Sequence, residues 1–166
     1  MLVSVLEWLQ GLPVAIAIRE GDTLFPLIES LHVLALTLVV GSIAILDLRL
    51  LGLASRDRSV AEMTALALPI TWSAFALAAV TGGLLFVSNA TVYAGNTWFR
   101  IKLVLILLAG LNMAVYHLWS GQRLVQLADA RRVPRSARVA GGLSLLMWVL
   151  VVACGRWIGF TLNAAN

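Results

Sequence analysis

The sequence predicts an all-α protein: a four-helix transmembrane bundle with an amphipathic interfacial segment at its N-terminus. The first observation is composition, since 61% of the 166 residues are hydrophobic, 12% are charged and the mean hydropathy is +0.95. A soluble domain has about 45–50% apolar and about 25% charged residues. These values exclude a soluble enzyme, a secreted disulfide scaffold and a disordered chain. The single Cys154 also excludes an internal disulfide.

The second observation is the spacing of long apolar runs. A membrane-spanning helix needs about 20 mostly apolar residues. An open sheet is not an option in a bilayer, because every backbone polar group must be paired within the protein. The sequence therefore predicts one transmembrane domain over residues 23–166, with helices at about 24–51, 62–88, 98–119 and 138–162.

Local signals mark the starts of these helices. Ser59 followed by Glu62 three residues later is a capping box, which satisfies free amides at the start of the second helix. Pro69 lies inside the second helix and is expected to kink it. The third helix follows Gly95-Asn96-Thr97, and the fourth follows Pro134.

Residues 1–22 form a separate amphipathic segment. Leu2, Val5, Leu6 and Leu9 make an apolar stripe, and a second apolar stretch covers residues 12–18. The break at Gly11–Pro13 leaves two pieces that are each too short to span a bilayer. We therefore expect an interfacial hairpin or a re-entrant element on the outer side of the membrane.

Lys and Arg positions predict the topology, because cytoplasmic loops carry an excess of them. Eight of the twelve basic residues lie in or beside two loops: Arg49, Arg56, Arg58, Arg123, Arg131, Arg132, Arg135 and Arg138. Both loops are therefore expected in the cytoplasm of a bacterium, with both termini outside the inner membrane.

Ionisable side chains inside a bilayer are expensive and mark functional sites by default. At about 1.5 Å per residue, His32 lies roughly 12 Å below the outer end of the first helix. Lys102 lies roughly 6–8 Å below the outer end of the third helix, so the two can meet. We predict an outer layer of Glu29, His32 and Lys102, and an inner layer of Asp47, His117 and Asn112.

The two histidines do not suit a single haem with two axial histidines. Both ligands must approach one iron at nearly one depth, whereas His32 and His117 are separated by roughly 17 Å along the membrane normal. His32 alone is a candidate haem or metal ligand, or else a structural residue bonded to Glu29 or a backbone carbonyl. His117 is a candidate ligand or a partner of Asp47. Lys102 is functional or extends to the outer headgroups.

A soft-metal site is the alternative chemistry. Met113 and His117 are four residues apart on one helix face, and Met147 is expected at a similar inner depth. Thioether and imidazole ligands suit Cu(I). With His32, these residues are the candidate metal ligands. Gly155 and Gly159 allow close packing of two helices, either within the bundle or between two copies of the chain.

Two stretches of the chain resemble a family of small bacterial four-helix membrane proteins of unknown function. The first runs from Glu29 through His32 to Ala35, with Gly41 and the run 47–52 (DLRLLG) further along. The second runs from Trp98 through Lys102 to Asn112 and His117. An early histidine and a lysine that opens the third helix are also, more distantly, similar to the CopD copper-resistance domains and to HemJ, a haem-binding family. The HemJ resemblance implies functional roles for His32 and Lys102.

Three functional hypotheses follow. The first is a redox protein that binds b-type haem through His32, with Lys102 and Glu29 beside it, and exchanges electrons with a quinone or a protein partner. The second is a copper-handling membrane protein. The third is a non-catalytic accessory subunit of a membrane complex.

Overall fold

The chain folds into an all-α bundle in a computed structural model, which describes residues 2–55, 57–116 and 133–163. The described residues form seven helices: α1 (Leu2–Gln10), α2 (Pro13–Glu20), α3 (Leu24–Leu51), α4 (Val60–Ser88), α5 (Ala90–Gly95), α6 (Thr97–Tyr116) and α7 (Arg135–Asn163). The predicted fold class is confirmed. The fourth long helix begins at Arg135 rather than at the predicted residue 138, because the chain enters it directly after Pro134.

Four helices, α3, α4, α6 and α7, are long and apolar enough to cross a membrane, and a fifth span is counted if α1 and α2 are taken together. Large apolar side chains point outward along them, as at Leu66 (61% exposed), Val80 (62%) and Leu107 (73%). A water-soluble protein rarely exposes apolar patches on this scale. The chain is therefore a multi-pass membrane protein.

Buried apolar side chains fill the middle of the bundle, and we call this group the central dry cluster. Helix α3 packs along α4 and α7, and α7 packs along α6. One buried cluster takes a residue or two from each of these helices: Val39, Ala74, Ala109, Trp148 and Val151. This cluster separates the polar residues at one end of the bundle from those at the other.

Helices α1 and α2 form an N-terminal pair that is bent by 64° at the break between them, and this pair is called the hairpin below. Ala15 and Ile18 of α2 are buried, while Trp8 of α1 is 65% exposed. Polar contacts tie the hairpin to the bundle, since Arg19 donates to the carbonyl oxygen of Ser88 at 3.3 Å. The end of the bundle that carries this hairpin is called the hairpin end below.

Local sequence signals explain where the long helices begin and end. The capping box at the start of α4 is confirmed: the Ser59 hydroxyl accepts from the Glu62 amide, and the Glu62 carboxylate accepts from the Ser59 amide, both at 3.1 Å. Helix α3 ends at Gly52, whose φ of 74° is a left-handed conformation that glycine adopts without strain. The amide side chain of Asn96 caps α6 by accepting from the Trp98 amide at 2.9 Å.

Part of the predicted basic loop is folded into the protein. Arg49 is only 4% exposed, and its Nε–H donates to the Arg58 carbonyl at 2.8 Å. Arg49 thus closes the loop after α3 in addition to adding positive charge there. Arg56, Arg123, Arg131 and Arg132 lie outside the described residues.

Candidate functional site

Each of the four spanning helices contributes one polar or sulfur-containing side chain to the half of the bundle at the hairpin end. His32 comes from α3, Thr81 from α4, Lys102 from α6 and Cys154 from α7. His32 bonds Thr81, and Lys102 lies near both His32 and Cys154. We call these four residues the hairpin-end site.

The orientation of the His32 ring is fixed by Thr81. Nδ1 of His32 lies 3.0 Å from Oγ1 of Thr81. The single hydroxyl proton of Thr81 is directed at the Leu77 carbonyl, 2.7 Å away. The ring also donates to the Ala78 backbone carbonyl, and its tautomer decides whether Nδ1 donates to Oγ1 or accepts from it. The same arrangement orients many histidines that bind metals.

Glycine at position 82 makes room for that ring. A Cβ built on Gly82 would lie 2.9 Å from Cε1 of His32, which is closer than real Cβ contacts come. The neighbouring Gly83 has no atom within 4 Å of such a Cβ. The imidazole therefore lies against the backbone of α4 at Gly82.

Lys102 brings an ammonium group into the same region. The residue is half-buried, and no described residue forms a hydrogen bond or ion pair with its Nζ. The nearest wall is α7, where a Cβ on Gly155 would lie 3.7 Å from Nζ. Gly155 thus faces Lys102 within the bundle, whereas Gly159 faces open space. Homo-oligomerisation through these glycines stays a prediction.

Glu29 lies one turn nearer the hairpin end than His32, and its side chain is exposed. The Glu29 carboxylate lies near the Tyr93 phenol of α5. Burial of the phenol and, to a smaller extent, the Glu29 carboxylate raise the pKa of Tyr93, because both disfavour the phenolate. The ring of Tyr93 packs 5.6 Å from that of Phe99, which itself stacks on Phe86 at 5.4 Å.

The residues predicted for the inner layer lie at the other end of the bundle. Asp47 is 5% exposed and its carboxylate bonds Ser144 of α7. Asn112 does not bond Asp47; its side-chain amide donates to the Ala140 carbonyl at 3.0 Å and so links α6 to α7. His117 lies outside the described residues, so its predicted pairing with Asp47 stays a prediction.

The predicted copper ligands are spread over different surroundings. Met147 packs against the central dry cluster, and Met113 is half-buried on α6. In the part of the chain that the structure describes, no three His, Cys, Asp or Glu side chains gather as a metal-binding group. A copper site that uses the methionines stays a prediction.

Two members of the hairpin-end site are not accessible to reasoning from the sequence. Thr81 is one of several hydroxyl residues on α4, and only the rotation of α4 against α3 selects it as the partner of His32. Cys154 has the appearance of a small buried residue until α7 places it beside Lys102. Depth and helix periodicity do predict that His32 and Lys102 meet.

Fold and site together define a multi-pass, four-helix membrane protein with a polar site inside one half of its bundle. The chain belongs to DUF6644, a family of unknown function whose model matches residues 16–161. No curated protein and no solved structure matches the chain. The comparisons show membership of an uncharacterised family and no link to CopD or HemJ.

Proposed function

We propose that this protein is a membrane redox protein that binds a b-type haem at the hairpin-end site, where His32 would hold the iron. The observation that carries the proposal is the distance of 3.0 Å between Nδ1 of His32 and Oγ1 of Thr81, which holds the ring in one orientation. This contact orients an imidazole inside an apolar bundle, and a neutral imidazole nitrogen is the form of histidine that binds haem iron.

The second support is Lys102, whose ammonium lies near His32 without a hydrogen-bond partner among the described residues. A cation in apolar surroundings is costly unless an anion compensates it. A haem propionate carboxylate would be such an anion, and the Lys102 amine would alternatively bind the iron. His32 and Lys102 would thus hold the cofactor, with Glu29 at the exposed rim of the site.

When bound, haem supplies one-electron transfer. The protein's own contribution is to hold the imidazole in one orientation, to place a positive charge beside it and to exclude water through the central dry cluster. Burial and local charge set the potential of such a centre. A membrane quinone or a redox protein is the partner that fits an electron carrier embedded in a bilayer.

The absorption spectrum of the protein, purified from haem-replete cells, tests the proposal. We expect a Soret band that is lost in His32→Ala and retained in His117→Ala, the matched change at the only other histidine. Lys102→Met should keep the band but change the reduction potential or the ligand-field bands. Colourless wild-type protein, or equal loss of the band in both histidine variants, contradicts the proposal. Copper found by metal analysis of a colourless sample would favour the copper-handling hypothesis instead.

We also propose that the hairpin end faces the outside of a bacterial inner membrane. The support is the concentration of arginines in the two loops at the other end. Single cysteines at Gly95 and Asp57, both exposed, test this in a Cys154→Ala background. An impermeant thiol reagent added to whole spheroplasts should label Gly95→Cys and not Asp57→Cys. The reverse pattern means that the orientation is inverted.

A further inference from the structure

Asp47 is a buried carboxylate, and one of its two oxygens has no hydrogen-bond partner. It lies four residues before the end of α3, so about 6 Å from that end of the helix. The side chain is 5% exposed, and Oδ2 has no hydrogen-bond partner. The described polar contact of the carboxylate is with Ser144 of α7.

The surroundings of Asp47 are closed on both sides. Towards the middle of the bundle lies the central dry cluster, which includes Val39 and Trp148. Towards the end of the bundle, Leu50 packs with Val133 and Ala137 in a second buried cluster.

Helix α7 comes very near α3 at this level. A Cβ on Gly141 would lie 3.2 Å from the Asp47 carbonyl oxygen and 3.0 Å from Cβ of Leu50. Gly141 precedes Ser144 by about one turn, so both lie on the face of α7 that packs against α3. The glycine thus lets the Ser144 hydroxyl reach the carboxylate.

Among the residues that the structure describes, no charged side chain is paired with Asp47. The closest in sequence is Arg49, whose Nε–H is used by the Arg58 carbonyl. Arg135 and Arg138 of α7 are exposed, and Lys102 of α6 belongs to the other end of the bundle. No described residue forms an ion pair with Asp47. An ionised carboxylate in apolar surroundings without a counter-charge is strongly unfavourable.

We propose that Asp47 and Ser144 form a proton-binding site, in which the Asp47 carboxyl carries a proton in the folded protein at neutral pH. A proton removes the charge without further ligands, whereas a metal cation needs several oxygen ligands. One carboxylate and one hydroxyl are the donors that the described residues supply. The proton adds to a carboxylate oxygen to give the neutral acid, and Ser144 hydrogen-bonds that acid. The proposal is independent of haem binding at the other end of the bundle.

Infrared spectroscopy of the full-length protein in lipid nanodiscs at neutral pH tests this. A protonated carboxyl gives a C=O stretching band that shifts in D₂O. We expect that band in the wild type, its loss in Asp47→Asn, and its retention in Glu29→Gln, which removes an exposed carboxylate from the same helix. Absence of the band in the wild type, or its survival in Asp47→Asn, overturns the proposal.

Two further variants keep the test decisive if Asp47→Asn does not fold. Ser144→Ala removes the hydrogen bond but keeps the acid, so the band should persist at a shifted frequency; an unmoved band contradicts the assignment. His117→Ala should leave the band unchanged. A band that is missing from the wild type and appears in His117→Ala would show that Asp47 pairs with His117 as an ion.

A comparison of sodium with choline distinguishes a bound proton at Asp47 from a bound metal cation. The melting temperature should be the same in sodium chloride and in choline chloride at equal ionic strength. Stabilisation by sodium that disappears in Asp47→Asn would identify a sodium site and overturn the proposal.

Discussion

Replacing Gly82 by alanine should disturb the His32 ring, whereas the same change at Gly83 should not. The Cβ of alanine at 82 would lie 2.9 Å from Cε1 of His32, while nothing lies within 4 Å at position 83. Both variants gain helix propensity, worth up to about 1 kcal/mol. That gain is common to the two variants, so it cancels when they are compared.

The remaining difference comes from the ring. Overpacking a filled site typically costs about 1–3 kcal/mol. If the ring rotates away, it also loses the bond to Thr81, and interhelical bonds of this kind average about 0.6 kcal/mol. Gly82→Ala should therefore be about 2–3 kcal/mol less stable than Gly83→Ala, allowing for partial relaxation.

Reversible unfolding in mixed micelles with increasing SDS measures this difference. The same pair of variants in a His32→Ala background is the control, because the clash is then absent. There, the two alanine variants should agree within about 0.5 kcal/mol. Equal stability of Gly82→Ala and Gly83→Ala in the wild-type background would refute the placement of the imidazole against α4.

Three other perturbations follow from single contacts. Ser59→Ala breaks the capping box and should lower the free energy of unfolding by about 1 kcal/mol in the same assay. The pKa of Tyr93 is raised in the folded protein, so above about pH 10 the unfolded chain loses the phenol proton more readily and the folded state is destabilised. Tyr93→Phe should therefore lose less stability between pH 8 and pH 11 than the wild type does. An equal loss in the two proteins would contradict the shift. Thr81→Val removes the hydroxyl that holds the His32 ring and should weaken haem binding about 10-fold or more, as loss of an outer-shell partner does. Thr71→Val breaks the bonds to Ser42 and to the Ala67 carbonyl and should leave the haem titration unchanged.

The number and type of the helices follow from the sequence because a bilayer leaves few alternatives. A run of about 20 apolar residues must become a helix to pair its backbone. The capping box at Ser59 is also predictable from the sequence, because it joins two residues that are only three positions apart. The depth match of His32 and Lys102 is predictable as well, since the helical rise per residue is constant.

Such local rules do not determine how each helix is rotated about its axis or which side chains of other helices it contacts. Depth places Asp47 and Asn112 in one layer, but packing joins the Asp47 carboxylate to Ser144 and the Asn112 amide to the Ala140 carbonyl. Ser144 and Ala140 both belong to α7, so the packing of α7 against α3 and α6 selects these partners. The grouping of Glu29 with His32 stays a prediction.

Hydropathy and helical rise are properties of single segments, so the amino-acid sequence is enough to predict a four-helix membrane bundle with ionisable groups at two depths. Packing between helices is what brings Thr81 to the His32 ring, makes room for that ring at Gly82 and leaves Asp47 with an unpaired oxygen. Each of these depends on how two helices are rotated and how closely they approach. That geometry is set by small residues such as Gly82 and Gly141 acting across an interface, and it has no signature within either helix alone.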